Sequence, residues 1–399
     1  MTEAVHYNPY DYHIHEDPYP TYTRLRSEAP LYHNEDLGFW ALSRHEDVNA
    51  GFRNTTDLSS SHGVSLDPLA SGPHAYKTMS FLAMDPPRHT RMRGLVARGF
   101  TPRRVMDLEP RIRALAVHYL DEALERGSFD SIGDFAGKLP MDVISELMGV
   151  PSADRDEVRR LADLLVHRPD GATDVPPEGI EAAFALIEYY TDMIARRRTA
   201  PTEDLTSALL VAEIDGDRLA DDEIIGFLFL MVVAGNETTT KLLGNALYWA
   251  NHDPAVKAQV LADPMNSAMI ERWVEETLRF DTSTQMLARI AVNDVEVAGG
   301  CIPAGDRVVL LIGSGNRDEE VFDQPDVFDL SRDTSASLSF GVGRHFCMGA
   351  SLARLEARIA LEEFTRRFSD YEIDEAHSRR VHSINVRGFA SLPTSISAR

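Results

Sequence analysis

Cys347, one of only two cysteines in 399 residues, stands in the stretch SFGVGRHFCMGASLARLE, residues 339 to 356. Gly341 and Gly343 precede it and Gly349 follows, a spacing that lets the backbone take positive φ and approach a flat or bulky partner closely. From Gly349 onward, Leu352, Leu355 and Ile359 recur at helical spacing, which predicts that Cys347 sits at a helix N-terminus. Free N–H groups and the positive end of the helix dipole stabilise a thiolate there. Such a thiolate can ligate a metal or attack as a nucleophile, although a free cysteine is also a small buried hydrophobe in many proteins. The other cysteine, Cys301, lies in a Gly/Pro-rich hairpin with no helix behind it and reads as structural.

Three further clusters have types and spacings suited to chemistry. Ala234-Gly235-Asn236-Glu237-Thr238-Thr239 closes the most apolar run of the chain, Ile224 to Ala234. An acid and two hydroxyls in such surroundings are costly unless hydrogen-bonded, so either they have work to do or the helix resurfaces at that point. Glu276 and Arg279 share a helix face, a spacing common to surface ion pairs and to buried braces. His89 and Arg93 also share a face, in a helix expected to open with Asp85 as cap and Pro86 and Pro87 in the first turn. Six arginines (88, 91, 93, 98, 103 and 104) and no acid fall within residues 88 to 104. Against a net charge of −23, that local reversal suits either an acidic partner or an arginine-rich helix surface with acidic neighbours.

Long helical periodicities must position these groups: Pro102 to Arg126, Met141 to Met148, Arg155 to His167, Glu178 to Arg198, Asp221 to His252, Pro254 to Phe280, and Gly349 to Phe368. The β signals are an early hairpin in APLYHNEDLGFWALSRHEDV and a later one in VEVAGGCIPAGDRVVLLIG, turning at Gly299–Gly300 and Pro303–Gly305. The expected fold class is therefore mainly α with a small β portion. No repeat or low-complexity linker divides the chain, so residues 1–399 read as a single domain. The acidic balance argues against nucleic acid and anionic membrane surfaces as partners. The first twenty residues lack the apolar core of a signal peptide, and the Ile224 to Ala234 run is far shorter than the roughly 20 residues of a membrane anchor. A cytoplasmic location is expected, and with it free thiols.

Together these segments resemble the cytochrome P450 monooxygenases. FGVGRHFCMGASLAR fulfils every fixed position of that family's haem-binding loop, F-G-x-G-x-x-x-C-x-G followed by Ala or Gly, and the Glu276/Arg279 and Glu237/Thr238 segments precede it in the family's order. The likeness runs from DPYPTYTRLRSEAPLYH near the start to NVRGFASLPT near the end. It implies the family's helix-rich fold, haem b as cofactor and dioxygen as co-substrate. Cys347 would be the iron ligand, with Phe340, Gly341 and Gly349 shaping its loop. His89, Arg93, Arg289 and His345 would hold the propionates. Ala234 and Gly235 would leave room for oxygen, and Glu237 and Thr238 would deliver protons.

Glu276 and Arg279 would brace the cysteine loop. The third, basic member of that brace is replaced by Val327, so the triad is incomplete or completed by another residue. By the same likeness Leu230, Val233, Ala234, Gln285, Met286, Leu287 and Val386 would form the substrate wall, with residues 168–178 as a mobile roof. Asp281 to Gln285, DTSTQ, stand where prolines are usual, so the pocket edge is expected to differ. A wall of this kind suits an apolar, small to medium substrate. At this length, electrons from NAD(P)H would arrive through a separate ferredoxin reductase and ferredoxin. The alternatives are a peroxide-driven haem-thiolate enzyme, which has less need of a proton relay, and a non-enzymatic haem protein or sensor.

Overall fold

In the computed structural model the described residues are 4–399 except 167, 168, 170, 171 and 173. The chain is organised around one helix, Asp221–His252. Asp221, Asp222 and Glu223 in its first turn face the positive end of the dipole, and Glu223 reaches back to accept a hydrogen bond from the Ala220 N–H at 3.0 Å. Ile224, Phe227, Leu228, Val232, Leu243 and Ala246 are all buried, so apolar faces point in several directions. Helices Lys138–Met148, Pro177–Thr199, Ser267–Phe280 and Ala350–Arg367 pack round it. Small residues admit these neighbours closely. A Cβ on Gly235 would meet Ile144 Cγ1 at 3.0 Å, and one on Gly244 would meet Ile132 Cδ1 at 2.6 Å. The helix is continuous through Gly235.

Five strands form the main sheet, in the order Leu31–Asn34, Phe39–Leu42, Arg307–Leu311, Met286–Ala291, Leu58–Ser59. The first two make the expected early hairpin. Val308 pairs with Trp40 on one side, parallel, and with Arg289 on the other, antiparallel. Apolar clusters cover both faces of this sheet, and a larger one fills the helical part. Helix accounts for 55% of the chain and strand for 14%, so the fold is mainly α with a small β portion.

Several boundaries differ from expectation for physical reasons. The helix anticipated over Pro254 to Phe280 is two, Pro254–Ala262 and Ser267–Phe280, because Asp263 accepts from the Met265 N–H and Asn266 from the Met269 N–H, turning the chain between them. The Pro102 to Arg126 stretch divides at Leu108, just before Pro110, which has no N–H to continue the ladder. The helix with Met141 begins earlier, at Lys138. The helix with His89 begins at Arg88, after both prolines, and the Asp85 carboxylate binds Ser59 and the Ser60 N–H instead of capping it. The second β signal turns at Ala298 and Gly299, both with positive φ, and its last strand leaves the hairpin for the main sheet. His167, at the end of one expected helix, and residues 168, 170, 171 and 173 of the expected roof lie outside the described residues.

Candidate active site

The cysteine loop is a tight backbone cradle. Gly341 and Gly343 take φ of 65° and 73°, and the Cys347 N–H donates to the Phe340 carbonyl at 2.9 Å. Cys347 stands two residues before Gly349, the cap of the helix Ala350–Arg367. Its thiol opens into a cavity yet is ringed by protein. Burial raises its pKa, while the Gly349 and Ala350 N–H groups and the Arg93 and Arg354 guanidinia act in the opposite direction. Burial is the largest of these influences.

Cationic and imidazole groups gather on one side of the cavity. Arg93 and His345 line it, and Arg93 donates to the Phe346 carbonyl at 2.6 Å. The His89 ring lies 4.3 Å from that of His345, centroid to centroid. Arg289 is buried, with one N–H group on the Ala288 carbonyl. Four buried donor or acceptor atoms here have no partner: both ring nitrogens of His89, His345 Nδ1 and Arg289 Nη2. Burial, then Arg93 and Arg344, lowers His89 to about 4. Burial, then Arg289, His89 and Arg93, lowers His345 to about 3, and burial brings Arg289 down to about 10. Unpartnered buried donors concentrated at one edge point to an anionic guest.

The cavity opens to solvent, and counted out through its mouth the empty space is about 1370 Å³, part of it open solvent. Of the residues expected in the substrate wall, Leu230, Ala234 and Leu287 line it. Val233, Gln285, Met286 and Val386 do not. Strand alternation explains Met286, which turns into the apolar cluster of Tyr7 and Phe39 while its neighbour Leu287 faces the other way. Gln285 is held by the Thr282 carbonyl at 2.8 Å and by the Tyr22 hydroxyl, and with Val386 it borders a separate small pocket. Val233 packs on the main helical core. The wall is completed by residues that the sequence reading passed over, among them Phe81, Phe100, Phe227 and Met231. Two of these were accessible from periodicity, since 227, 230, 231, 234 and 238 form one stripe of the central helix.

On that stripe Thr238 lines the cavity and donates to the Ala234 carbonyl at 2.8 Å. Glu237 does not line it. Glu237 is buried, 3.0 Å from Lys241 Nζ. Below the cysteine loop, Glu276 and Arg279 form a two-pronged buried ion pair at 2.7 and 2.8 Å. Arg332 supplies a third member at 3.3 Å, in place of a side chain from position 327. The Val327 carbonyl accepts from both arginines.

Residues 180–396 match the family model described as Cytochrome P450. The Mycobacterium tuberculosis protein designated cytochrome P450 123 is 58% identical over 393 residues, covering 98% of this chain and 97% of its own. The crystal structure of cytochrome P450 CYP109Q5 from Chondromyces apiculatus superposes with a TM-score of 0.89 at 32% identity, covering all of both chains. That of CYP109E1 from Bacillus megaterium in complex with corticosterone gives 0.84 at 31%, over 95% and 98%. The chain belongs to the cytochrome P450 family.

It is accordingly a haem-thiolate monooxygenase, an oxidoreductase that uses dioxygen and a redox partner on a small-molecule substrate. The residues of this P450 fit haem. A thiol opens into the cavity, and the partnerless donors of His89, His345 and Arg289 match the need of carboxylate groups for cations. One polar group of the cavity was not anticipated. Glu356, on the helix following Cys347, lines the cavity, is 2% exposed, and has a carboxylate oxygen with no partner, so burial raises its pKa well above the ordinary carboxyl value. Among the described residues, no helix is long and apolar enough to cross a membrane.

Proposed function

We propose that this P450 hydroxylates an apolar small molecule, with Cys347 as the thiolate ligand of haem b. The observation that carries the reading is the shared cavity in which Cys347, Thr238 and the His345/Arg93 edge meet under a mostly apolar wall. Haem ligated by a cysteine thiolate supplies the oxidising chemistry, the thiolate pushing electron density toward O–O cleavage. Cys347 holds the iron, and Phe340, Gly341 and Gly349 shape its cradle. His89, Arg93, Arg289 and His345 pair with the propionates. Ala234 and Gly235 leave space for dioxygen. The Thr238 hydroxyl carries a proton into the cavity, re-supplied by Glu237 from outside the wall. Leu230, Leu287, Phe81 and Phe227 exclude water and hold the substrate.

Electrons come from NAD(P)H through a ferredoxin reductase and a ferredoxin, the latter attracted to the arginines between 88 and 104. The chain acts as a single domain, 1–399, in the cytoplasm. Five of the six arginines have partners within the chain: Arg91 with Asp217 and Glu223, Arg93 with the Phe346 carbonyl, Arg104 with the Gly99 carbonyl, Arg88 on the Tyr76 ring and Arg103 with Asp107. Arg98, together with Arg103, whose pair is 4.0 Å apart and exposed, is the stronger candidate for steering. For the substrate, a steroid-sized polycycle is the first class to try, in view of the corticosterone complex of the CYP109E1 relative.

The reduced protein with carbon monoxide is expected to show the Soret band of a thiolate-ligated haem, and an imidazole-type band overturns the assignment of Cys347. Apolar compounds, corticosterone first, are then screened for a shift of the haem band, and each hit is turned over with the donor proteins or with peroxide alone. Product only with the donors supports the reading; equal product with peroxide alone favours the peroxide-driven route. Thr238→Ala is expected to consume NAD(P)H and oxygen still, while product falls and peroxide rises.

A further inference from the structure

Glu237 is a buried acid, and its ion-pair partner lies one helical turn further on. Lys241 is 4% exposed, its ammonium 3.0 Å from Glu237 Oε2. The ammonium also donates to the Phe389 carbonyl at 3.3 Å. Its stem is wedged against Gly388, where a Cβ would come within 2.6 Å of Lys241 Cβ. A long, flexible side chain is thus clamped at both ends. No hydrogen bond of good geometry reaches Glu237 Oε2, so the ammonium is what compensates it.

A third charged group bears on the pair. Asp163, on the helix Arg155–Val166, is solvent-accessible. Burial of part of its surroundings and the charge of Glu237 raise its carboxyl to about 6, with Lys241 and Arg159 acting in the opposite direction. Asp163 is thus within electrostatic reach of the pair, on a helix that packs against the central one, and is open to solvent. Thr238, adjacent to Glu237, faces the cavity, whereas Glu237 and Lys241 are absent from its wall.

We propose that Lys241 is a positioning residue of the proton relay: it keeps Glu237 ionised and held outside the cavity wall, so that Glu237 accepts a proton from the Asp163 side before passing one to Thr238. In that sequence an O–H bond of hydronium on the solvent side breaks, leaving water, as an O–H bond forms on Glu237. The next transfer breaks the Glu237 O–H bond as Thr238 gives its own proton to the cavity and receives this one. The proposal rests on the relay reading of Glu237 and Thr238 given above.

The test uses the haem-loaded protein and two readouts. The first is melting temperature against pH for wild type, Lys241→Arg, Lys241→Met and the double variant Lys241→Met/Glu237→Gln. Without the ammonium the buried acid has a raised folded pKa, so its contribution to stability is present at about pH 4 and is lost as pH rises toward that folded value. Lys241→Met is expected to lose melting temperature increasingly between about pH 5 and about pH 8, Lys241→Arg to follow wild type, and the double variant to be flat. Failure of Lys241→Met to fold at the higher pH, with the double variant folded, supports the pairing equally. A loss equal at every pH, or no loss, overturns it.

The second readout is the pH profile and solvent isotope effect of product formation per NAD(P)H. Lys241→Met is expected to shift the profile to higher pH, with rescue by Lys241→Arg. If Glu237→Gln uncouples turnover and Lys241→Met leaves the profile in place, the role of Lys241 is overturned while the relay stands. If Glu237→Gln itself leaves coupling unchanged, the relay reading fails, whatever the melting curves say of the ion pair.

Discussion

Two buried polar regions flank the cysteine loop of this P450, and they are opposite in one respect. In the brace below it, Arg279 is fully buried and every guanidinium nitrogen is in use, on Glu276 and on the carbonyls of Asn316, Pro325 and Val327. Glu276 is likewise saturated, by Arg279, Arg332 and the Asp329 N–H. At the cavity edge, His89 and Arg289 are almost as deeply buried but keep donors with no acceptor. A buried polar group costs free energy unless it is paired. The saturated region is thus complete as protein, whereas the other is complete only with an anionic guest. That contrast distinguishes framework from site without reference to any motif.

The sharpest way to break the comparison is to remove one member from each region. Arg279→Leu leaves Glu276 deeply buried beside a single remaining guanidinium and should destabilise the chain by about 3–5 kcal/mol, the range for a broken buried pair. The haem-free and haem-loaded forms should suffer alike, as read by denaturant titration. Arg289→Met should behave in the reverse manner, leaving the haem-free chain as stable or more so. It should weaken haem retention by about 1.5–3 kcal/mol, the worth of a hydrogen bond to a charged group, read as the rate and extent of haem transfer to a scavenger protein. Equal effects of both variants on the haem-free chain would erase the distinction.

Acidity sharpens the contrast further. His89 and His345 are lowered to about 4 and about 3, so both rings are neutral when folded at neutral pH. An unfolded histidine binds its proton near pH 6.5, so below that point the unfolded chain binds more protons than the folded one. Stability therefore rises with pH across about 4 to 6.5 and is lost on acidification through that window. The haem-free protein should melt progressively earlier as pH falls from about 6.5 to about 4. His89→Gln with His345→Gln should flatten the curve, and bound haem, whose carboxylates favour the charged rings, should flatten it too.

The same two regions show what a single sequence discloses. The central helix was legible almost to the residue, because Asp221 to Glu223 suit its first turn and the apolar run admits no other element of that length. The loop of Cys347 was legible because glycines at 341, 343 and 349 and a helix start are local facts. The completion of the brace was not. Arg332 reaches Glu276 across 56 residues of chain, through a turn in which the Val327 carbonyl, and not its side chain, takes part. The break at Asp263 to Asn266, by contrast, has a local signal, Pro264, which cannot donate to a helix ladder. Glu356 carried no signal, since one acid in a charged, amphipathic helix looks solvated until its neighbours cover it.

The substrate wall was misread in a way that yields the smallest but cleanest test. The sequence presents residues 285 to 287 as one lining segment, yet a strand sends consecutive side chains to opposite faces, and the phase is fixed by pairing with Arg307–Leu311, more than fifteen residues away. Leu287 faces the cavity, while Met286 receives the Tyr7 hydroxyl at 3.6 Å on the other side. Met286→Leu conserves volume on a buried face and should cost less than about 1.5 kcal/mol of stability. Its effect on the dissociation constant of any ligand that shifts the haem band should be less than about twofold, under roughly 0.4 kcal/mol. Leu287→Ala removes apolar wall from the cavity itself and should weaken the same ligand by about 1–3 kcal/mol, the worth of a few methylene contacts. A larger effect from Met286 than from Leu287 in that titration would mean that the strand is registered one residue away from the pairing described.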